Sequence, residues 1–188
     1  MKQKLKQAIL NLPNMITLAR LACVPVVLLC LCFPGKTGSF LAAVFFSIAA
    51  LTDILDGFLA RKYGHVTALG KFLDPLVDKI LVSVTMIMLI PLGRIPVWIV
   101  IIIIAREIAL TGLRGIAATD GIVIQASRLG KYKTFLQSTA IMALCLHYAY
   151  GGINFHLLGL FVLWGALILT IWSAWDYFRK FYRVLVPA

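Results

Sequence analysis

The chain has 188 residues, 62% of them hydrophobic, with a mean hydropathy of +0.98. That composition excludes an ordinary water-soluble domain and fits a single integral membrane domain. The net charge of +11 is carried by residues that flank apolar segments, not by a basic stripe interleaved with aromatics in a polar module. It is therefore a topology signal, and nucleic acid is excluded as a partner.

The elements follow in order. Lys2, Lys4 and Lys6 alternate with Leu5, Ala8, Ile9 and Leu10, which predicts an amphipathic helix over residues 1–12 lying in the membrane interface. The basic-then-apolar start resembles a signal peptide. Pro13 and Arg20 interrupt it and no clear small-x-small site follows, so it is expected to be retained. A first span is predicted from Asn14 to Phe33, closed by Pro34, Gly35 and Gly38, and a second from Phe40 to Arg61. The third runs from Phe72 to Leu92, with a turn at Gly93 and Arg94. The fourth starts at Pro96, a residue suited to a first helical turn, and ends near Ala117. After the polar connection Thr119–Lys133 come a fifth span, Thr134 to Tyr150, a turn at Gly151, Gly152 and Asn154, and a sixth, Leu157 to Phe178. Trp172, Trp175 and Tyr177 near its end read as an interfacial belt. Cys23, Cys30, Cys32 and Cys145 have neither CxxC nor metal spacing, and no disulfide is expected.

The fold expected is all-α: a six-span transmembrane bundle over 13–180 with the interfacial helix before it, one domain over 1–188. An even number of spans puts both termini on one side. Sixteen of the 18 Lys and Arg residues then share that side, against Lys36 and Arg94 on the other. The bias assigns the termini to the cytoplasm.

Four of the seven acidic residues fall between positions 53 and 78. In helices, Asp53, Asp56 and Ala60 share a stripe, with Gly57 and Arg61 beside it, and Gly70, Asp74 and Asp78 share another. The short connection makes the two helices antiparallel neighbours, so the Asp pairs face each other near one membrane surface. Two carboxylates about 4 Å apart repel by roughly 4 kcal/mol at an effective dielectric of about 20. Either some carboxyls hold protons or divalent cations sit between them. An all-oxygen set suits Mg²⁺, Mn²⁺ or Ca²⁺. Gly57 and Gly70 leave room for a bulky group, and Arg61 adds a cation suited to phosphate. Together these features suggest a diphosphate site. Structural ion pairing with Arg61 or Lys79 is the plainer alternative, but charges within spans are costly and usually functional.

The pattern Asp53-x-x-Asp56-Gly57-x-x-Ala60-Arg61, then eight residues, then Gly70-x-x-x-Asp74-x-x-x-Asp78 resembles the signature of the CDP-alcohol phosphatidyltransferases. All eight signature positions are filled. NLPNMITLAR near the start, AREIALTGLR at 105–114 and GKYKT at 130–134 resemble the bacterial phosphatidylglycerophosphate synthase branch of that family. The resemblance implies transfer of a phosphatidyl group from CDP-diacylglycerol to sn-glycerol 3-phosphate with release of CMP. It implies Asp53, Asp56, Asp74 and Asp78 as ligands of two Mg²⁺ or Mn²⁺ ions, and Asp78 as general base. It implies Asn14, Thr17, Asp53, Asp56, Gly57, Ala60, Arg61 and Gly70 as the CDP-lipid site. A homodimer in the bacterial cytoplasmic membrane, with the site facing the cytoplasm, is implied as well.

A phosphate-bearing acceptor needs a second cationic site. Arg106, Arg114, Lys131 and Lys133 are the candidates, because Arg106 and Arg114 lie two turns apart on one helix face and the lysines follow in the next cytoplasmic segment. For Arg106 the structural alternative is a salt bridge to Glu107 or to an Asp; for the other three it is topology flanking. His65 in the loop reads as a solvated residue, and His147 and His156 as remote from the site. Rival functions are another acceptor within the family (phosphatidylglycerol as in cardiolipin synthesis, serine or inositol phosphate) and cation transport through the Asp cluster. Transport would need polar residues continuing to the far face, where SVTMIMLI and VWIVIIII are nearly bare.

Overall fold

The computed structural model describes the backbone of residues 12–33, 35–63, 68–119 and 128–185. Within these segments side chains are described outside 12–14, 53–63, 68–75, 116–119, 128–129, 180 and 182–185. Six helices account for almost all of it: α1 Leu12–Cys32, α2 Lys36–Tyr63, α3 Ala68–Leu89, α4 Val97–Thr119, α5 Arg128–Leu146 and α6 Phe155–Leu185. Each coincides with one of the six expected spans, mostly with ends a few residues longer. The predicted interfacial helix lies outside the described residues.

Two helical segments, Met15–Cys32 and Phe155–Arg179, are long and apolar enough to cross a membrane, and Lys36–Thr52 is a shorter apolar stretch. Many large apolar side chains among the described residues face outward, Leu29, Phe33, Ile101, Ile108, Phe161 and Ile168 among them. Exposed apolar side chains in such number are at odds with water and suited to lipid.

The interior is built from small and branched residues. Val27 and Leu31 of α1, Ala42, Phe46 and Ala49 of α2, Met86 and Leu89 of α3, Ile99 and Ile103 of α4, Ile141 and Leu144 of α5, and Leu163 of α6 form one buried cluster. In a lipid setting helices associate through close van der Waals packing, which favours small residues at crossings. Gly159 shows it directly: a Cβ there would lie 2.8 Å from the Leu144 side chain, so the α5–α6 crossing is as close as glycine permits. Helix α5 packs mainly on α6, α1 on α2 and α3, and α2 on α5.

The turns follow from their residues. Helix α3 ends in a Schellman turn, with Gly93 at φ 67°, Gly93 N–H donating to Ile90 O at 2.9 Å and Arg94 N–H to Leu89 O at 3.1 Å. After α5 the expectation of helix to Tyr150 is corrected. The helix stops at Leu146, and Ala149–Tyr150 (β1) pairs antiparallel with Ile153–Asn154 (β2). Gly151 and Gly152, at φ 57° and 82°, supply the two positive-φ positions that a two-residue hairpin loop requires. Among the described residues this small hairpin is the one addition to the all-α expectation. Asn154 then caps α6, its Oδ1 accepting from the N–H groups of His156 and Leu157 at 3.1 and 3.2 Å.

Candidate active site

A cavity of about 760 Å³ opens at the end of the bundle where α2, α4 and α6 finish and α3 and α5 begin. Its inner wall is apolar, with Phe46, Val82, Met86, Ile103 and Met142. Its outer wall is charged, with Asp78 and Lys79 from α3, Arg106, Glu107 and Arg114 from α4, and Lys131 and Lys133 from α5. Helix α6 contributes Ser173 and Tyr177. Five cations face two carboxylates, an excess of three positive charges among the described lining residues. Such a lining attracts anions.

The charges are tied to one another. The Glu107 carboxylate accepts from Arg106 Nη1 at 2.8 Å and, through the same oxygen, from Lys133 Nζ. Arg106 Nη2 donates to Ser173 Oγ at 2.7 Å, and that hydroxyl donates to Thr170 O at 3.1 Å. Lys79 Nζ donates to Thr111 Oγ1, which in turn donates to the Glu107 carbonyl at 2.6 Å. Lys133 is only 4% exposed; a lysine so buried needs its counter-ion. The Arg114 guanidinium lies 5.6 Å from the centroid of the Tyr177 ring, a cation–π contact.

Asp78 and the four basic residues expected to hold an acceptor phosphate therefore line one cavity, although they come from three helices. Arg106 makes the ion pair to Glu107 that was its structural alternative, and it lines the cavity as well. Asp53, Asp56, Gly57, Ala60 and Arg61 occupy the last turns of α2, and Gly70 and Asp74 the first turns of α3. Their side chains lie outside the described residues, as does that of Asn14. Helices α2 and α3 pack on each other, and Ser47, Ala50 and Leu51, just before Asp53, line the cavity. Thr17 is buried on α1 and is not part of the lining. His65 lies outside the described residues. His147 and His156 lie at the opposite end of the bundle, as expected, against each other with ring centroids 4.8 Å apart. Among the described residues no three His, Cys, Asp or Glu side chains converge on one point.

Four residues carry more than their sequence reading assigned. Arg20, read there as a topology charge and as an interruption of the basic-then-apolar start, is buried, and its Nε donates to Ala49 O at 3.1 Å, one turn before Asp53. Glu107 is the shared anion of the cavity; a lone acid inside an apolar span was the available signal, since such a group must be paired. Ser173 and Tyr177 sit one turn apart on the inner face of α6. Tyr177 corrects the belt reading: it is 7% exposed, whereas Trp172 and Trp175 are 64% and 73% exposed.

The model of the CDP-alcohol phosphatidyltransferase family matches residues 10–172. This chain belongs to that family. A family member named CDP-diacylglycerol–glycerol-3-phosphate 3-phosphatidyltransferase, from Bacillus subtilis (strain 168), is 42% identical over 191 residues, covering 93% of this chain and 97% of the relative. Proteins of the same name from Rickettsia bellii (strain RML369-C) and Wigglesworthia glossinidia brevipalpis are each 39% identical, covering 90% and 94% of this chain and 94% and 97% of the relatives. Family membership and the apolar helices together make this phosphatidyltransferase-family chain a membrane protein.

Proposed function

We propose that this protein transfers the phosphatidyl group of CDP-diacylglycerol to sn-glycerol 3-phosphate, giving phosphatidylglycerophosphate and CMP. One observation carries the reading. Asp78, a carboxylate able to take a proton, shares a cavity with Arg106, Arg114, Lys131 and Lys133, cations able to hold a phosphate monoester. The names of the relatives support the same donor and acceptor.

In this mechanism the acceptor phosphate is held by the basic wall, which fixes the glycerol hydroxyl beside Asp78. Asp78 accepts the hydroxyl proton as the oxygen bonds to the lipid-bearing phosphorus. The bond from that phosphorus to the bridging oxygen breaks, and CMP leaves with the electron pair. Glu107 keeps Arg106 and Lys133 in place while the cavity is empty. The apolar inner wall keeps water from the reacting phosphorus, so that the alcohol is the nucleophile.

Asp53, Asp56, Asp74 and Asp78 would hold divalent metal, Mg²⁺ or Mn²⁺. The donor chemistry fits, being all oxygen, with no thiolate or imidazole among these four residues. Bound metal would neutralise charge on the diphosphate as CMP leaves. Asn14, Thr17, Gly57, Ala60, Arg61 and Gly70 belong to the CDP-lipid side of the site. In this reading six helices span the membrane, both termini and the cavity lie on the cytoplasmic face, the chain forms a homodimer on family grounds, and residues 1–188 make one catalytic domain.

The test uses purified protein in detergent with CDP-diacylglycerol and Mg²⁺ or Mn²⁺. Glycerol 3-phosphate, serine, inositol phosphate and phosphatidylglycerol are offered separately, and CMP is measured. CMP release with glycerol 3-phosphate alone is expected. Release with another acceptor instead would retire the assignment of the basic wall. No release with any acceptor would retire the enzyme reading.

A further inference from the structure

Two buried polar atoms of described cavity-lining residues have no hydrogen-bond partner. Arg106 Nε and Tyr177 Oη are both buried and bond to nothing. Leaving a buried donor unpaired costs about 1–3 kcal/mol, so two orphans in one cavity need an explanation. Ordinary packing does not supply one, because both residues are held in place. Arg106 has its two Nη groups fixed by Glu107 and Ser173 at 2.8 and 2.7 Å, leaving the Nε–H edge of a rigid fork unused. The Tyr177 ring is pinned by Arg114 at 5.6 Å. Tyr177 also lies one turn after Ser173 on α6, so its hydroxyl and the Arg106 fork belong to the same wall.

The chemistry of the missing partner follows from the donors. Arg106 Nε can only donate. The lining carries excess positive charge. The missing group therefore presents acceptor oxygens and negative charge, which describes a phosphate and not a neutral alcohol such as serine's side chain or a second cation. We infer that Tyr177 is a specificity-determining residue for the acceptor: its hydroxyl and Arg106 Nε–H donate together to the phosphate oxygens of glycerol 3-phosphate. The inference rests on the acceptor proposed above and adds α6 to the recognition of that acceptor. Tyr177 lies five residues beyond the matched family region, which ends at residue 172.

The test is Tyr177→Phe, which keeps the ring and its contact with Arg114 and removes only the hydroxyl. KM for glycerol 3-phosphate should rise about tenfold, the size expected for one hydrogen bond to a charged group. The kcat and the KM for CDP-diacylglycerol should stay within about twofold. The melting temperature of the ligand-free variant should not fall, because an unpaired buried hydroxyl has been removed. An unchanged KM for glycerol 3-phosphate, with wild-type protein active on that acceptor, overturns the inference alone. A fall in kcat together with a loss of melting temperature overturns it in favour of a packing role. Wild-type protein inert toward glycerol 3-phosphate overturns both the acceptor assignment and this inference. A second measurement is independent of the variant's folding: 3-fluorotyrosine placed at position 177 should shift its fluorine resonance when glycerol 3-phosphate or inorganic phosphate is added. A resonance that ignores both ligands rules the contact out.

Discussion

The two ends of the bundle use arginine in opposite ways. At the end away from the cavity, Arg94 is 7% exposed and fully committed to structure. Its Nη1 donates to Cys145 O at 2.8 Å and Leu144 O at 3.4 Å, the last carbonyls of α5, and its Nη2 donates to Ser39 Oγ at 2.7 Å. A cation there satisfies orphan carbonyls and complements the helix dipole. It also ties the α3–α4 turn to the start of α2 and the end of α5. At the cavity end, Arg106 spends two donors on neighbours and keeps Nε unpaired. A buried arginine whose donors end on backbone is a strut. Arg106, by contrast, keeps one donor that no neighbouring helix uses.

Substitutions at the two ends should therefore separate activity from stability. The largest effect is expected at Asp78. Asp78→Asn should lower kcat by about a thousandfold, the scale of general-base loss, while the melting temperature in detergent holds. A variant that retained near-normal kcat would move the proton acceptor elsewhere. Next comes Glu107→Ala, which leaves Arg106 and Lys133 buried without their shared anion. Breaking such a pair should cost about 3 kcal/mol of stability and raise KM for the acceptor, read by thermal unfolding and acceptor titration together. An unaffected melting temperature would mean that the ion triad is open to water. Arg94→Leu should cost about 2 kcal/mol through the unpaired α5 carbonyls and Ser39, with kcat per folded molecule unchanged. A change in acceptor KM in that variant would break the division between the two ends.

The smallest effect concerns pH at the strut end. His147 lies beyond α5, at φ 59°, with its Nδ1 unpaired. Burial, then Arg94, then His156 hold its imidazole below the usual histidine range. The unfolded chain therefore binds this proton more readily than the folded one. The contribution to stability is present above about pH 6.5, the ordinary histidine value, and is lost as pH falls below it. Melting temperature should decline modestly from pH 8 to pH 5.5, and His147→Asn should flatten that slope. An unchanged slope would show that other groups set the acid response.

Much of this was legible in the sequence because hydrophobicity and charge are strongly patterned. Apolar runs of helical length located all six helices, and Arg106, Arg114, Lys131 and Lys133 meet in one cavity as their spacing suggested. The failures have physical reasons. Tyr177 was grouped with Trp172 and Trp175 because all three are aromatic near a helix end. Residues 175 and 177 lie about 200° apart around a helix, and only the neighbouring helices decide which side faces inward. The turn at Gly151, Gly152 and Asn154 is legible, but the apolar run through Tyr150 hides that the helix already stops at Leu146. The Gly151–Gly152 pair, with both residues at positive φ, closes a hairpin and not a plain turn between helices. Asp53, Asp56 and Asp74 stand on the helices expected of them.

Helix α6 has 31 residues. At 1.5 Å per residue it is about 46 Å long, and Tyr177 sits about 33 Å along it from Phe155. The hydrocarbon core of a bilayer is about 30 Å thick. On the proposed topology the phosphate seat therefore falls at the depth of the lipid headgroups. A water-borne phosphate can reach it without entering oil, and a lipid-borne diphosphate can reach it without leaving its leaflet. On that topology the enzyme need not extract one substrate or dissolve the other, because the length of its last helix would set the reaction at the boundary where the two already meet.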